Sequence, residues 1–285
     1  MRVRREPAIE IKTAAQLAAM AEAGQVVARA LSAAAAAVAP GVSTAELDSI
    51  AAREIREAGA APSFLGYHRF PATICASIND EIVHGIPRAA RRLRTGDVVS
   101  IDCGAIVDGW HADAALTVPV GAVTAGLSRL LATCELALWH GLAAARPGAR
   151  LGDVSHAVER CARAGGLGGP GGNYGIVEDY VGHGIGSEMH MDPPVPNQGR
   201  PGRGPVLAEG MALAIEPLLV LGSPATRLLD DGWTVVTEDG SPAAHFEHTV
   251  AITSGGPWVL TAADGGREGF ARLAHQPREL AQSHS

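Results

Sequence analysis

Four carboxylates and one histidine stand at five separate points of this chain, each inside a short apolar or glycine-rich phrase. They are Asp102 in VVSIDCG, Asp113 in GWHADAALT, His183 in GHGIG, Glu216 in AIEP and Glu247 in FEHT. Acids in strands apolar enough to be buried need partners of opposite charge. Two divalent first-row metal ions would balance the four negative charges, and such ions suit oxygen-rich sites with one imidazole. Because a two-metal site activates water, the pattern predicts a metal-dependent hydrolase.

The first two acids belong to a predicted hairpin. The Asp108–Gly109 pair indicates a two-residue turn between two strands. In that register Gly104 lies opposite Asp113, and Asp102 points to the same face as Asp113, diagonally across. Diagonal neighbours are about 7–8 Å apart at the backbone, so both carboxylates can reach one pair of ions.

Composition restricts the class of protein. With 285 residues, 47% of them hydrophobic and 19% charged, the chain is typical of a globular protein. The net charge of −7 argues against a protein whose main partner is nucleic acid. A basic cluster is the exception, and it consists of Arg88, Arg91, Arg92 and Arg94. Such a run is more often a solvated loop than a docking patch for an anionic surface such as ribosomal RNA.

The cysteines and the N-terminal sequence indicate in which cellular compartment the protein works. Four cysteines are scattered without a CxxC pair, which favours free thiols in a reducing compartment. The opening MRVRREPAIEIK has no apolar core behind its basic residues, unlike a signal peptide. The alanine run from Ala33 to Ala39 is too short to span a bilayer. We therefore expect a cytoplasmic, monomeric enzyme without a membrane segment.

The periodicity predicts an α+β protein. Thr13 and Ser43 are N-cap candidates for two helices, and further helices are expected at about 127–146 and 151–164. Strands are expected on either side of the second helix pair, so ligands from two similar halves would meet in one sheet. Residues 1–260 are expected to form one catalytic domain, and the polar tail 261–285 to be weakly ordered. The stretch GGLGGPGGNYG is interpreted as a flexible loop.

Five phrases in register resemble the type I methionine aminopeptidases over roughly residues 9–260. They are FLGYHRFPATICASINDEIVHGIP, SIDCGAIVDGWHADAALT, GHGIG with the later MH, AIEP, and DGWTVVTEDGSPAAHFEHT. The resemblance implies the pita-bread α+β fold, with a central antiparallel sheet, helices on its outer face and pseudo-two-fold halves. It also implies removal of the initiator methionine from new proteins.

The resemblance also implies roles for the five ligands. Asp113 and Glu247 would bridge two ions, Asp102 would hold the second ion, and His183 and Glu216 would complete the first. Glu216 would in addition carry a proton to the leaving amine. Mn, Fe, Co or Zn would fit such a site.

Other matching positions would bind substrate. His84 and His190 would be non-ligand histidines that contact the substrate, and the methionine pocket would be lined by Phe64, Tyr67, Phe70, Cys75, Met189 and Trp233. Phe64 stands where a small Cys is common, and Met189 where an aromatic residue is common. Since both are apolar, methionine is still expected to fit.

Two other functions compete with this one. Proline-specific aminopeptidases and dipeptidases of the same fold resemble the chain in the same five ligands. They usually carry a sizeable N-terminal domain, whereas only about 70 residues precede the first strand here. A non-enzymatic binding module would be free to lose ligands, yet all five are present together with both histidines.

Overall fold

The computed structural model describes residues 9–165 and 174–274, which form five helices and a set of short strands around one large sheet. The helices are α1 (Ala14–Ala36), α2 (Thr44–Glu57), α3 (Ala125–Ala144), α4 (Leu151–Arg163) and α5 (Arg267–Ala274). The strands are β1 (Ala61–Pro62), β2 (Ile74–Ile78), β3 (Glu81–Val83), β4 (Val98–Val107), β5 (Trp110–Pro119), β6 (Gly175–Ile176), β7 (Gly182–Gly184), β8 (Met191–Val195), β9 (Ala212–Ile215), β10 (Leu218–Val220), β11 (Thr226–Leu228), β12 (Val235–Thr237), β13 (Ala243–His245), β14 (Glu247–Thr253) and β15 (Gly256–Val259).

The large sheet runs through both halves of the chain. Its strand order is β1-β4-β5-β14-β9-β7-β8, with β2 added on β4 and β15 on β14, and the pairings are antiparallel. Strand β5 from the first half pairs with β14 from the second. Two three-stranded sheets, β13-β10-β6 and β11-β12-β3, lie beside it.

Each half has a helix pair over its own core. Helices α1 and α2 pack on β2, β4 and β5, where Leu31 and Leu47 bury against Ile101. Helices α3 and α4 pack on each other, and Leu142 and Val154 bury with residues of the second half of the sheet. The predicted α+β arrangement of an antiparallel sheet with helices on one side and two similar halves is therefore observed.

The predicted local signals are confirmed. Thr13 caps α1 and Ser43 caps α2, and in each case the backbone N–H of the cap residue donates in return to the side chain three residues later. The hairpin turn has positive φ at both Asp108 (50°) and Gly109 (80°), as a type I′ turn requires. Gly104 pairs with Asp113 in the expected register.

The apolar segment GMALAIEPLLV forms two strands rather than one. Strand β9 belongs to the large sheet and β10 to a small one, and the break falls at Glu216 and Pro217. Proline has no N–H to donate to a strand ladder, so the backbone leaves the large sheet there. Glu216 is thereby placed at the end of a strand.

The expectation of a weakly ordered tail from residue 261 differs from the structure over residues 261–274. Gln25 on α1 donates from Nε2 to the carbonyls of Leu260 and Ala262, at 3.1 Å each. Helix α5 then sets Phe270 edge-on against Trp139, with ring centroids 5.4 Å apart. Both the hydrogen bonds from α1 and the packing of Ala262, Phe270 and Leu273 on the core hold the segment in place. Residues 275–285, and positions 166–173 of the glycine-rich stretch, lie outside the described residues.

Among the described ranges, no helix is both long and apolar enough to cross a membrane.

Gly24 on α1 marks where the C-terminal segment presses on a helix. A Cβ at Gly24 would collide with the backbone carbonyl of Leu260, whereas a Cβ at Gly126 in the first turn of α3 would meet only Thr124 Oγ1, at 3.8 Å. We expect Gly24→Ala to lower the free energy of unfolding by about 1–3 kcal/mol, because backbone cannot move aside cheaply. Gly126→Ala, the matched control, is expected to raise it by about 0.5 kcal/mol. Urea midpoints measure both, and an unchanged midpoint for Gly24→Ala would contradict the packing described.

Candidate functional site

The predicted ligand, catalytic and pocket residues all line one cavity at the centre of the large sheet. They are Phe64, Tyr67, Phe70, Cys75, His84, Asp102, Asp113, His183, Met189, His190, Glu216, Trp233 and Glu247. Val83 and His245 complete the lining. Residues separated by up to 183 positions in sequence are thus brought to one place (Phe64 to Glu247).

A first cross-strand row explains part of the convergence. Cys75 pairs with Asp102, Asp102 with Ala115, and Ala115 with Glu247. Residues directly opposite each other in antiparallel strands point to the same face, so the two acids face the cavity with a small alanine between them.

A second row lies two residues along the strands. Asp113 pairs with Gly104, while Ala214 pairs with both Thr249 and His183. The Thr249 hydroxyl links the two sets, since it accepts from the Asp113 N–H at 2.9 Å and donates to the Asp113 carbonyl at 2.8 Å. Thr249 and Ala214 therefore lie between Asp113 and His183 in this row.

Glu216 enters from the strand break. Its Oε1 lies 3.7 Å from His183 Nε2, and the amide of Asn197 donates to its backbone carbonyl at 3.0 Å. The turn at Pro217 therefore carries a fourth acid to the same cavity.

The donor set fits divalent cations. One oxygen each of Asp102 (Oδ1), Asp113 (Oδ1) and Glu247 (Oε1) is buried with no hydrogen-bond partner among the described residues. Buried polar atoms are normally paired, so orphaned carboxylate oxygens that share a cavity indicate missing positive charge. Ligand atoms of Asp113, His183 and Glu247 all lie within 4.8 Å of one another, a spacing that could hold a metal ion.

The pKa values of the four acids in the cavity are also those of a site suited to cations. Burial raises the pKa of Asp113 to about 7, and burial together with the Asp113 charge raises the pKa of Glu216 to about 8. Burial and the neighbouring acids raise the pKa of Asp102 and of Glu247 well above their usual range. The raised pKa values mean that these acids take up protons more readily than free carboxyl groups, so a metal ion would compete with protons for them.

His84 is held in a strained position. Its φ of 61° lies in the left-handed region, which is uncommon for a residue other than glycine. The following Gly85 packs against the backbone of Ala76 and donates its N–H to Ser77 Oγ at 3.0 Å. Burial, with a smaller contribution from His190, lowers the pKa of His84 to about 4, so the ring is neutral at pH 7. A strained residue held firmly in a cavity is typical of a functional position.

His190 stands at the mouth of the cavity. Its Nδ1 lies 2.9 Å from the hydroxyl of Tyr67, and its ring is 4.3 Å from the ring of His183. Tyr67 thus fixes the orientation of His190 beside the predicted ligands.

The predicted pocket residues form an apolar cluster next to the acids. Phe64, Phe70, Cys75 and Met189 are buried together, with Tyr67, Ile86 and Trp233 packed against them. The Phe64 ring reaches this place because Gly104 has no side chain: a Cβ there would lie 3.0 Å from Phe64 Cε1 and 2.8 Å from Ser63 Cβ. Phe64 and Met189, the two residues that depart from the family pattern, both line this pocket.

His245 is the functional candidate that the sequence analysis missed. In the phrase HFEHTVAI it could be taken for a surface residue, but only 2% of it is exposed. Its Nε2 lies 3.7 Å from Glu216 Oε2 and 3.8 Å from Glu247 Oε2. The available signal was its place two residues before Glu247 in extended chain, which puts both side chains on one face.

Most of the basic cluster is paired with acids. The pairs are Arg88 with Asp231 at 3.3 Å, Arg91 with Glu81 at 2.8 Å, and Arg92 with Glu46 at 3.4 Å. These ion pairs are solvent-exposed on the arginine side and contribute little stability, but they balance the positive charge locally. A ribosome contact through Arg88, Arg91, Arg92 and Arg94 stays a prediction.

Comparison with known proteins gives one consistent picture. The model of metallopeptidase family M24 matches residues 18–254. The chain is 56% identical to methionine aminopeptidase 1 of Mycobacterium tuberculosis, over 91% of this chain and 97% of that protein. It is 46% identical to methionine aminopeptidase 1 of Bacillus subtilis, over 88% and 98% respectively.

Solved structures agree. The methionine aminopeptidase from Thermotoga maritima superimposes with a TM-score of 0.84 at 39% identity, covering 89% of this chain and 99% of that one. Prolidase from Pyrococcus furiosus gives 0.70 at 23% identity and covers 89% of this chain but 65% of that one, a likeness of fold alone. The predicted pita-bread fold is confirmed by these neighbours.

Proton competition gives a pH prediction for metal loading. The pKa values of Asp113 (about 7) and Glu216 (about 8) are both raised in the metal-free cavity, so both groups gain protons between about pH 8 and pH 6. His183, with a pKa lowered to about 3 by burial, stays neutral over that range. Metal affinity is therefore expected to fall at least about tenfold from pH 8 to pH 6. Calorimetric titration of metal-stripped protein with Mn(II) measures this, and a constant affinity would contradict it.

Proposed function

Because the chain belongs to metallopeptidase family M24, and within it to the type I methionine aminopeptidases, we propose that it removes the N-terminal methionine from newly made polypeptides. The observation that carries the proposal is a single cavity. In it, orphaned carboxylate oxygens lie beside an apolar pocket and two neutral or hydrogen-bonded histidines.

The acids and His183 would hold two divalent ions. Asp113 and Glu247 would bind both ions, Asp102 one, and His183 with Glu216 the other. The ions would supply Lewis acidity, which polarises a carbonyl and lowers the pKa of water. Mn, Fe, Co and Zn all suit the donor set. Two ions match the four acids in charge, which a buried site requires.

Glu216 is suited to move a proton. It stands at a strand end with one oxygen toward His183 and the other toward His245. A carboxylate in that place can accept a proton from the attacking water and pass it to the leaving amine. The peptide bond cleaved is the first of the substrate.

His84 and His190 would bind the reacting amide. His84 is neutral and fixed by its strained backbone, and His190 is oriented by Tyr67. Hydrogen bonds from such preorganised rings to the substrate amide and the developing oxyanion favour the transition state.

The apolar cluster would select the first side chain. Burying a methionine among Phe64, Phe70 and Met189 contributes about 1.5–3 kcal/mol. Met189 is flexible, and a thioether can contact the aromatic rings favourably. The pocket is thus suited to an unbranched apolar side chain.

A proline-specific peptidase is the second candidate. The prolidase likeness covers the fold, and no feature of the pocket favours it over methionine. The proposed partners are the N-termini of newly made polypeptides, and the arginine cluster is the proposed contact with the ribosome.

Peptide cleavage separates the two enzymes. Metal-stripped protein reloaded with Mn(II) is expected to cleave Met-Ala-Ser and to leave Ala-Pro-Ser intact, because the first residue, alanine, would bury much less apolar surface in the pocket than methionine does. Released amino acid is quantified by chromatography. Preferential cleavage of Ala-Pro-Ser would overturn the proposed function.

Two substitutions separate ligands from substrate contacts. His84→Ala is expected to lower kcat about 10²–10⁴-fold with metal content unchanged, since it removes a proton donor or acceptor but no ligand. Asp113→Ala is expected to abolish metal loading. Elemental analysis and peptide turnover are measured on both proteins. Loss of metal from His84→Ala would make His84 a ligand, and full activity of Asp113→Ala would exclude its bridging role.

A further inference from the structure

His245 lies against two acids that the proposed function assigns to metal binding. It is 2% exposed, and its Nε2 has no hydrogen-bond partner among the described residues. An imidazole N–H that is buried without a partner is costly, so its neighbours decide what it does. The nearest acidic atoms are oxygens of Glu216 and Glu247.

The two carboxylate oxygens of Glu216 have different neighbours, and so do those of Glu247. Glu216 turns Oε2 toward His245 at 3.7 Å and Oε1 toward His183 at 3.7 Å. Glu247 turns Oε2 toward His245 at 3.8 Å and leaves Oε1 buried and unpartnered. His245 therefore faces Oε2 of both acids.

The backbone of His245 is fixed. Its N–H donates to Thr117 Oγ1 at 2.9 Å, and Thr117 Oγ1 donates to the His245 carbonyl at 2.8 Å. Because that bond uses the only proton of the Thr117 hydroxyl, the Ser100 hydroxyl, 2.8 Å away, is the donor to Thr117. On its other side His245 pairs with Leu218 of β10. Because its backbone is held on both sides, the His245 side chain starts from a fixed position and can hold neighbouring side chains in place by hydrogen bonding.

We propose that His245 is a positioning residue, whose Nε2–H donates to the carboxylates of Glu216 and Glu247 and holds both in the orientation that metal binding needs. The inference rests on the proposed two-metal site. The separations of 3.7 and 3.8 Å shorten to a hydrogen bond when a carboxylate moves by about 0.7 Å. Removing the hydrogen-bond partner of a metal ligand typically lowers metal affinity by about 10–100-fold.

The competing explanation is that His245 only fills space. Substitution by an apolar residue and by a donor separates the two. His245→Leu keeps the bulk but has no donor, whereas His245→Gln retains an amide N–H₂ that can reach the same acids. If His245 only fills space, both substitutions should leave metal affinity unchanged.

The experiment is calorimetric titration of metal-stripped protein with Mn(II), on the wild type and both variants. We expect His245→Leu to bind about 10–100-fold more weakly and His245→Gln to bind within about threefold of the wild type. Wild-type affinity in His245→Leu overturns the inference. Equal weakening in His245→Gln and His245→Leu also overturns it, because a donor then does not restore binding.

His248 supplies a matched control. It follows Glu247 in β14, but its ring contacts Trp139 and its Nδ1 lies 2.8 Å from Thr261 Oγ1, on the opposite face. His248→Leu is expected to bind Mn(II) as the wild type does. Should His245→Leu fail to fold by circular dichroism, His245→Asn replaces it, since its shorter amide cannot reach both acids and weaker binding is again expected. A wild-type protein that binds no Mn(II) would instead overturn the proposed function itself, before any variant is compared.

Discussion

Mutual repulsion of buried carboxylates is the constraint on which the rest of this structure depends. Asp113 and Glu247 are almost fully buried, and Asp102 and Glu216 share their cavity. The large sheet brings them together by register rather than by sequence proximity, with β5 and β14 joining the two halves. A protein that places four acids in one cavity folds around a site that is complete only with cations.

Much of this could be predicted from the sequence, for identifiable reasons. The Asp108–Gly109 turn determined the register of Asp102 and Asp113, because a two-residue turn leaves one pairing. The capping residues Thr13 and Ser43 gave the helix starts. Pairings between distant strands needed the resemblance to a known family, since no local signal aligns Ala115 with Glu247.

The parts that could not be predicted depend on tertiary contacts. His245 lies beside two acids because Glu216 arrives from another strand end to join Glu247. The order of residues 261–274 depends on Trp139 and Gln25, more than a hundred positions away in the chain. The arginine cluster looks like an unbalanced charge in the sequence, yet three of its members meet acids in space.

Gly104 lies between the proposed methionine pocket and a proposed metal ligand. It pairs with Asp113 across the hairpin, and its missing side chain is what admits the Phe64 ring to the pocket wall. One cross-strand pair thus adjoins both the proposed methionine pocket and a proposed metal ligand. A substitution at Phe64 that reshapes the pocket for a bulkier first residue would change the contact with Gly104 in β4. Because Gly104 pairs with Asp113, we expect such engineered variants to change in specificity and in metal occupancy together.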